Sequence, residues 1–278
     1  MEGNERNSCM GFYKDALDVK VVDSCNGRCA FCIEQGGRLS TCLVPVEDQI
    51  RNINNLNPKS VLLLGGEPFL YADLGKLIRG IEAGEVFITT NGSLLDSRTA
   101  KEIASNLTAL NISVHHYSME ENRKVTGLLL DLQKLRDGIG VLREQGVSVR
   151  FNSLLTKGFL DDYQSCTKLV KLAKELGVTL VRFSEIQNDT VGAYVDASTI
   201  FDGMPNEPFI DGCEVPLSLG GVVCSVKVTC GFVNSRKAKI SNASYGCHGG
   251  GGDGCHGRPN MGVLYPDGFH SPNWLLAN

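Results

Sequence analysis

The sequence predicts an α/β fold, a partial (β/α)6 TIM-like barrel followed by a small Cys- and Gly-rich C-terminal domain. Short apolar runs alternate with helical patterns six times between residues 18 and 186, which is typical of parallel strands joined by right-handed crossovers. Six units fall short of the eight that close a barrel. Helical periodicity is lost after about residue 200. We therefore predict a barrel domain over residues 1–200 and a second domain over residues 201–278.

The predicted strands are short, β-branched and bounded by turn residues, and the helices between them have apolar residues at helical spacing. The strands are expected at residues 18–23, 60–66, 86–92, 109–115, 147–155 and 178–186. The helices are expected at residues 46–56, 70–83, 96–105, 129–145 and 161–176. Since functional groups of such barrels lie at the C-terminal strand ends, the loops after the strands are the expected site.

Composition narrows the class of protein. The chain has 278 residues, 42% of them hydrophobic, and a net charge of −4, which suits a globular protein with a sizeable core. The acidic balance gives no reason to expect nucleic-acid binding. No apolar run is long enough for a spanning helix, and the polar N-terminus lacks the apolar stretch of a secretory signal. We expect a cytoplasmic protein that binds neither nucleic acid nor membranes.

The eleven cysteines are unevenly placed. Without a secretory signal, such a content indicates metal or redox chemistry more often than disulfides. Three cysteines follow the first strand directly, and five lie late in the chain, so we predict two metal sites. The early cluster is Cys25, Cys29 and Cys32, and the late cluster is Cys213, Cys224, Cys230, Cys247 and Cys255.

The early cysteines have the spacing CxxxCxxC. Soft thiolates favour iron–sulfur clusters or zinc. A structural zinc ion needs a fourth close ligand, but the next cysteine, Cys42, is ten residues past Cys32. Three thiolates would leave one iron of a four-iron cluster open to a chelating cosubstrate. A zinc half-site or a fortuitous grouping is the alternative.

Turn sequences end the second and third strands. GGEP (residues 65–68) offers glycines that let backbone approach a ligand closely, and its glutamate offers a carboxylate to an ammonium group. TTNG (residues 89–92) ends the next strand. Each sequence is equally compatible with a plain strand-to-helix turn.

With Phe31 before its last cysteine, the triplet resembles that of the radical S-adenosylmethionine (SAM) superfamily, and residues 15–190 resemble GTP 3′,8-cyclase and its relatives. The segments NISVHHYSMEENRKVTG, LRDGIGVLREQGVSVRFNSLL and LAKELGVTLVRFSEI carry the second resemblance. It implies a 4Fe–4S cluster on the triplet, whose open iron binds SAM and whose electron releases a 5′-deoxyadenosyl radical. It also implies a flavodoxin- or ferredoxin-type electron donor. The residues that it places around SAM are Phe31, Gly65, Gly66, Glu67, Pro68, Thr90, Asn91, Ser113, Asn152 and Phe183.

The C-terminal part resembles a shortened auxiliary-cluster domain of the Twitch/SPASM kind, with residues 261–274 as its closing hairpin. This implies a second 4Fe–4S cluster on some of the late cysteines. Five late cysteines exceed the four of a fully ligated cluster, so a spare thiol, Cys247 or Cys255, would be able to donate a hydrogen atom to a substrate radical. Core packing or a structural zinc site with His248 and His256 is the alternative.

The chain departs from the cyclase pattern, because His115 and His116 replace a usual acidic residue, the late cysteine spacing differs, and the chain ends in LLAN. We therefore expect another reaction. The resemblance to small radical SAM enzymes of this layout implies a small polyhydroxylated substrate, such as a carbohydrate or aminocyclitol of natural-product biosynthesis. A thiol donor would give an epimerase, and transfer of a second electron would give an oxidoreductase. The alternatives are a peptide-modifying radical SAM enzyme, a nucleotide cyclase, and a non-catalytic zinc-binding protein.

Overall fold

The computed structural model describes residues 15–32, 34, 37–186, 192–201, 214–220, 222–227, 261–272 and 274–275. Within these ranges the secondary structure consists of ten strands, six α-helices and two short 3-10 turns at Pro68–Leu70 and Ala197–Thr199. The strands are β1 (Ala16–Lys20), β2 (Ser60–Leu64), β3 (Glu85–Thr90), β4 (Ala109–Ser113), β5 (Ser148–Leu154), β6 (Leu180–Ser184), β7 (Glu214–Leu219), β8 (Val222–Lys227), β9 (Val263–Leu264) and β10 (His270–Ser271). The helices are α1 (Val46–Leu56), α2 (Leu74–Gly80), α3 (Ser97–Ile103), α4 (Met119–Thr126), α5 (Leu132–Glu144) and α6 (Tyr163–Glu175).

The described strands form one sheet in the order β10-β9-β1-β2-β3-β4-β5-β6-β8-β7. Strands β1 to β6 are parallel to their neighbours, and β9 and β8 extend this parallel part beyond β1 and β6. The hairpins β9–β10 and β7–β8 supply the antiparallel pairs at the two edges. The predicted partial (β/α)6 barrel is confirmed.

Strand alternation separates two environments. On β1, Leu17 and Val19 are fully buried in the hydrophobic core, which also contains helix residues such as Ile53 and Leu77. Asp18 and Lys20 alternate with them and are also buried. Because successive side chains point to opposite faces of a strand, the helices cover an apolar face and the barrel interior receives the polar residues.

Helix boundaries follow capping chemistry. Asp96 and Asp162 accept hydrogen bonds from the first turns of α3 and α6 in complete capping boxes. Helix α4 was not among the predicted helices, although its sequence carries a start signal. Ser118 caps it by accepting from the backbone N–H of Glu121, and a serine followed three residues later by a glutamate is typical of helix starts.

Two further differences concern the length of one helix and an additional hairpin. The helix predicted over residues 70–83 is the shorter α2, preceded by the 3-10 turn at Pro68–Leu70. The hairpin β7–β8 was not predicted, and it continues the barrel sheet beyond residue 200.

The predicted closing hairpin is present as β9–β10 and adds to the sheet beside β1. The boundary near residue 200 stays a prediction, because residues 202–213 and 228–260 lie outside the described residues.

Within the described residues, no helix combines the length and the apolar composition that crossing a bilayer requires.

Substitution of Phe151 tests the assigned hydrophobic core. It lies on β5 and is 0% exposed, so Phe151→Ala should leave a cavity and lower the free energy of unfolding by about 3–5 kcal/mol. Leu129, which is 58% exposed, is the control, and Leu129→Ala should change that free energy by no more than about 0.5 kcal/mol. Urea unfolding of both variants measures the difference, and equal losses would contradict the assigned packing.

Candidate functional site

The three early cysteines lie in the segment that leaves the C-terminal end of β1, which we call the cysteine loop (residues 21–32). Cys25 and Cys32 are exposed, Cys29 is partly buried, and all three are free thiols that form no disulfide. The backbone N–H of Gly27 donates to Sγ of Cys25 over 3.3 Å. The N–H of Cys32 donates to the carbonyl of Cys29 over 3.1 Å. The backbone thus forms tight turns that hold the thiols within one short loop.

The surroundings of Cys29 favour its neutral thiol unless a positive group is bound beside it. Burial raises the pKa of the Cys29 thiol to about 12, and negative charge on Cys32 and Cys25 adds to the effect. Thiolates in such a place need a positive partner. In the described part of the chain, no group of three or more His, Cys, Asp or Glu side chains is arranged to hold a single metal ion. The fit of the triplet to an iron–sulfur cluster therefore rests on donor chemistry and loop geometry.

The GGEP loop (residues 65–68), at the end of β2, is in backbone contact with the cysteine loop. The N–H of Gly66 donates to the carbonyl of Val22, and the N–H of Glu67 donates to that of Ser24, both over 2.9 Å. A Cβ on Gly66 would lie 2.0 Å from the Ser24 carbonyl oxygen. Gly65 has a φ of +144°, and a Cβ there would lie 2.4 Å from the Val22 oxygen. Both glycines are therefore required for the approach of the two loops.

Glu67 is buried and joins the GGEP loop to the end of β3. Its Oε1 accepts from the N–H of Phe69 at 3.1 Å and from Oγ1 of Thr90 at 2.6 Å. Its Oε2 accepts from the N–H of Asn91 at 2.7 Å. Burial raises the pKa of Glu67, although these hydrogen bonds act in the opposite direction. The carboxylate thus has an architectural role, and its predicted contact with the SAM amino group stays a prediction.

Asn91 connects the TTNG turn to the cysteine loop. Its Nδ2 donates to Oδ1 of Asn26 over 2.8 Å and lies 4.0 Å from Sγ of Cys25. Ser93 completes the connection, because its hydroxyl accepts from Nδ2 of Asn26 at 2.9 Å and its N–H donates to Oδ1 of Asn91. The predicted residues of the first three strand ends are therefore brought together around one cysteine.

Phe31 is buried against His115, which lies just beyond β4. The two ring centroids are 4.9 Å apart and the rings meet edge to face. Nδ1 of His115 accepts from the N–H of Leu154 at 3.1 Å, so the proton of the neutral ring is on Nε2. Burial lowers the pKa of His115 to about 4. Sequence reasoning noted His115 only as a departure from a pattern, and its place beneath Phe31 was missed.

Ser113, Asn152 and Arg182 are register partners on β4, β5 and β6. Oδ1 of Asn152 is buried without a hydrogen-bond partner among the described residues. Two residues before Asn152 on β5, Arg150 donates from Nε to Oδ1 of Asn111 over 3.1 Å. The strand alternation therefore gives the barrel interior two guanidinium groups and an unsatisfied carbonyl acceptor.

Two predicted site residues are placed away from this interior. Phe183 is fully buried in the core and packs on Phe201, with 5.4 Å between ring centroids. It alternates with Arg182 and so faces the helices, which corrects its predicted place beside SAM.

Cys224 is buried in the same core, where its thiol donates to the carbonyl of Val222. This position favours the core interpretation of Cys224 over its predicted role as a cluster ligand. The remaining late cysteines, Cys213, Cys230, Cys247 and Cys255, lie outside the described residues.

Comparisons with known proteins agree on the barrel. The sequence model of the Radical SAM superfamily matches residues 19–173. GTP 3′,8-cyclase of Aquifex aeolicus (strain VF5) is 32% identical over 197 residues, which are 67% of this chain and 58% of that protein. GTP 3′,8-cyclase of Stenotrophomonas maltophilia (strain R551-3) is 31% identical over 156 residues, or 52% and 48% of the two chains.

Among solved structures, Streptococcus suis SuiB matches with a TM-score of 0.62 at 17% identity, over 94% of this chain and 60% of that one. At this identity the similarity concerns the fold alone. The chain spans 58% and 48% of the length of the two cyclases.

These relatives overturn the expected epimerase or oxidoreductase acting on a carbohydrate-like molecule. The similar proteins are named as nucleotide cyclases, so the main expectation was wrong and its nucleotide-cyclase alternative fits better. The expectation rested on the histidines at positions 115 and 116, on the late cysteines and on the LLAN ending. None of these features specifies a reaction.

The buried His115 should make the free energy of unfolding depend on pH. The unfolded chain protonates this side chain below a pH of about 6.5, whereas the folded protein resists protonation down to about 4. The unfolded state therefore binds more protons between these values, and the free energy of unfolding should fall with falling pH by at most about 1.4 kcal/mol per pH unit. His115→Gln should reduce the pH dependence of the free energy of unfolding between pH 6.5 and 5, as measured by urea unfolding. An unchanged slope would place the histidine in a more polar site.

Proposed function

Because the chain belongs to the radical SAM superfamily, whose model matches residues 19–173, we propose that it is a radical SAM enzyme that cyclises a nucleotide, GTP or a close analogue. The observation that carries the choice of substrate is the 32% identity to a GTP 3′,8-cyclase over 197 residues. The family implies a 4Fe–4S cluster, SAM and a reductant. The identity of the nucleotide, the bond formed and a flavodoxin- or ferredoxin-type donor belong to the proposal.

We assign the cluster to Cys25, Cys29 and Cys32. When bound, the reduced cluster and SAM supply a 5′-deoxyadenosyl radical that removes a hydrogen atom from the substrate. The protein's part is to hold the thiols in one loop and to leave that loop accessible, as the exposure of Cys25 and Cys32 permits. The GGEP loop supports it from below through two backbone hydrogen bonds.

The groups proposed to surround SAM lie at neighbouring strand ends. Phe31, fixed edge-on by His115, offers an apolar surface to the adenine. Asn91 lies beside Cys25, close to where the methionine part of SAM would enter. Asn152 offers a buried carbonyl oxygen without a described partner, and leaving such an acceptor unsatisfied is costly. A hydroxyl or amino group of the cosubstrate would satisfy it.

The barrel interior supports a phosphate-bearing substrate. Arg150 and Arg182 lie on adjacent strands, both on the face opposite the hydrophobic core. Guanidinium groups bind phosphate oxygens in pairs and keep their charge when buried. Phosphate oxygens of a nucleoside triphosphate would be suitable acceptors for guanidinium donors on this face.

The auxiliary cluster and the second domain remain proposals. With Cys224 in the core, four late cysteines remain, which equals the ligand set of a complete 4Fe–4S cluster. These are Cys213, Cys230, Cys247 and Cys255. We assign the second cluster to them within residues 201–278.

The cluster assignment predicts the iron content of a variant. After anaerobic reconstitution, Cys29→Ala should bind about four fewer irons per chain than wild type and should form no 5′-deoxyadenosine from SAM and dithionite. Cys42→Ala, which removes an exposed cysteine outside the triplet, should match wild type in both measurements. Iron assay and chromatography provide the readouts. A Cys29→Ala protein with full iron and full SAM cleavage would refute the assignment.

The substrate is tested by isotope transfer. The reconstituted, reduced enzyme is incubated with SAM and GTP carrying deuterium at the 3′ carbon, the position in the relatives' name. Mass spectrometry should find deuterium in 5′-deoxyadenosine. GTP deuterated at the 5′ carbon is the matched control and should transfer none. SAM cleavage that GTP does not increase, with no deuterium transfer, would rule out GTP as the substrate.

A further inference from the structure

We infer that Lys20 is a positioning residue that fastens both ends of the cysteine loop and thereby sets where its three thiols lie. The inference rests on the proposed function in one respect, because it takes these thiols as the cluster ligands. The fastening itself concerns only groups that the structure describes.

One ammonium group contacts both ends of the loop. Lys20 ends β1 and is 2% exposed. Its Nζ lies 2.7 Å from Oδ1 of Asp23, which precedes Cys25 by two residues, and 2.6 Å from Oε2 of Glu34, which follows Cys32 by two residues. One buried cation therefore contacts the carboxylate that precedes the first cysteine by two residues and the carboxylate that follows the last cysteine by two residues.

Lys20 also fixes the chain beyond the loop. Its Nζ donates to the carbonyl of Arg38 over 3.3 Å, and Asp23 accepts from the N–H of Ser40 at 2.8 Å. The Arg38 guanidinium in turn binds both carboxylate oxygens of Asp267 in the turn of the β9–β10 hairpin. The loop ends are thus connected to the sheet edge beside β1.

The stem of Lys20 lies against the GGEP loop. A Cβ on Gly65 would lie 3.4 Å from Cγ of Lys20, so the aliphatic chain fills the space that the glycine leaves. Burial alone would lower the pKa of Lys20, but Asp23 and Glu34 outweigh it and raise that pKa. The side chain is therefore held as a cation between the two loops.

The chemistry of lysine fits this arrangement. An ammonium group has three N–H donors in a compact head, and the structure gives it three acceptors, in Asp23, Glu34 and the Arg38 carbonyl. A buried ion pair contributes little net stability compared with apolar packing, but removal of one partner leaves a buried charge uncompensated. The arrangement is therefore explained better by the position that it imposes than by stability.

Hydrogen exchange of the full chain tests the fastening, in both the reconstituted and the metal-free protein. Lys20→Met should speed amide exchange in residues 23–40 on the order of tenfold or more, with α3 and α5 unchanged. Lys59→Met is the matched control, because Lys59 forms an exposed ion pair with Asp15 at the opposite end of β1. It should leave exchange in residues 23–40 unchanged.

The reconstituted proteins give a second, spectroscopic readout. Lys20→Met should bind less iron than Lys59→Met, and the electron paramagnetic resonance signal of its reduced cluster should respond differently to SAM. Lys20→Arg keeps the charge but changes the donor geometry, so it should show an intermediate effect. If Lys20→Met does not fold, Lys20→Arg carries the same test, with faster exchange confined to residues 23–40.

The inference is overturned if loop exchange in the folded Lys20 variant equals that of the control, or if exchange rises equally throughout the barrel. Its failure is distinguishable from failure of the proposed function. Wild-type protein that binds no iron refutes the cluster assignment, whereas exchange in the metal-free protein reports on the fastening alone.

Discussion

The close backbone approach between the cysteine loop and the GGEP loop is the constraint on which the candidate site depends. Two hydrogen bonds join the loops, and a Cβ on Gly66 would lie 2.0 Å from the Ser24 carbonyl oxygen. No side chain fits there, so the glycines are explained first by the protein's own packing and only second by a ligand. Because β1 and β2 are adjacent and parallel, their C-terminal ends deliver both loops to one place.

Two buried polar side chains, Glu67 and Lys20, connect these loops to neighbouring parts of the sheet. Glu67 links the GGEP loop to the end of β3 by accepting hydrogen bonds from Thr90 and Asn91. Lys20 forms ion pairs with Asp23 and Glu34, and its hydrogen bond to the Arg38 carbonyl connects it to the residue that binds the β9–β10 hairpin. Burial makes each group costly to leave unpartnered, so displacing either loop would break buried polar contacts. A site that must place three thiols accurately gains from such mutual dependence.

Periodicity and turn chemistry in the sequence were sufficient to predict the six β/α units and the three motif-bearing strand ends. The placing of Phe183 was also predictable, because strand alternation puts it opposite Arg182. Helix α4 carried a readable cap in Ser118. Other features depend on contacts between distant segments, as when His115 accepts from Leu154, 39 residues on. No local sequence pattern indicates such a pairing. The contacts of Lys20 with Asp23 and Glu34 on either side of the cysteines are equally absent from any local pattern.

The error about the reaction has a related cause. Motifs at strand ends specify radical SAM chemistry in general, and the choice of an epimerase depended on counting five late cysteines against the four that a cluster needs. The structure buries Cys224 in the hydrophobic core, and burial raises the pKa of its thiol to about 11. Four late cysteines then remain, and the surplus from which a hydrogen-donating thiol was deduced is gone. The nucleotide-cyclase proposal depends instead on the relatives, which are named GTP 3′,8-cyclase.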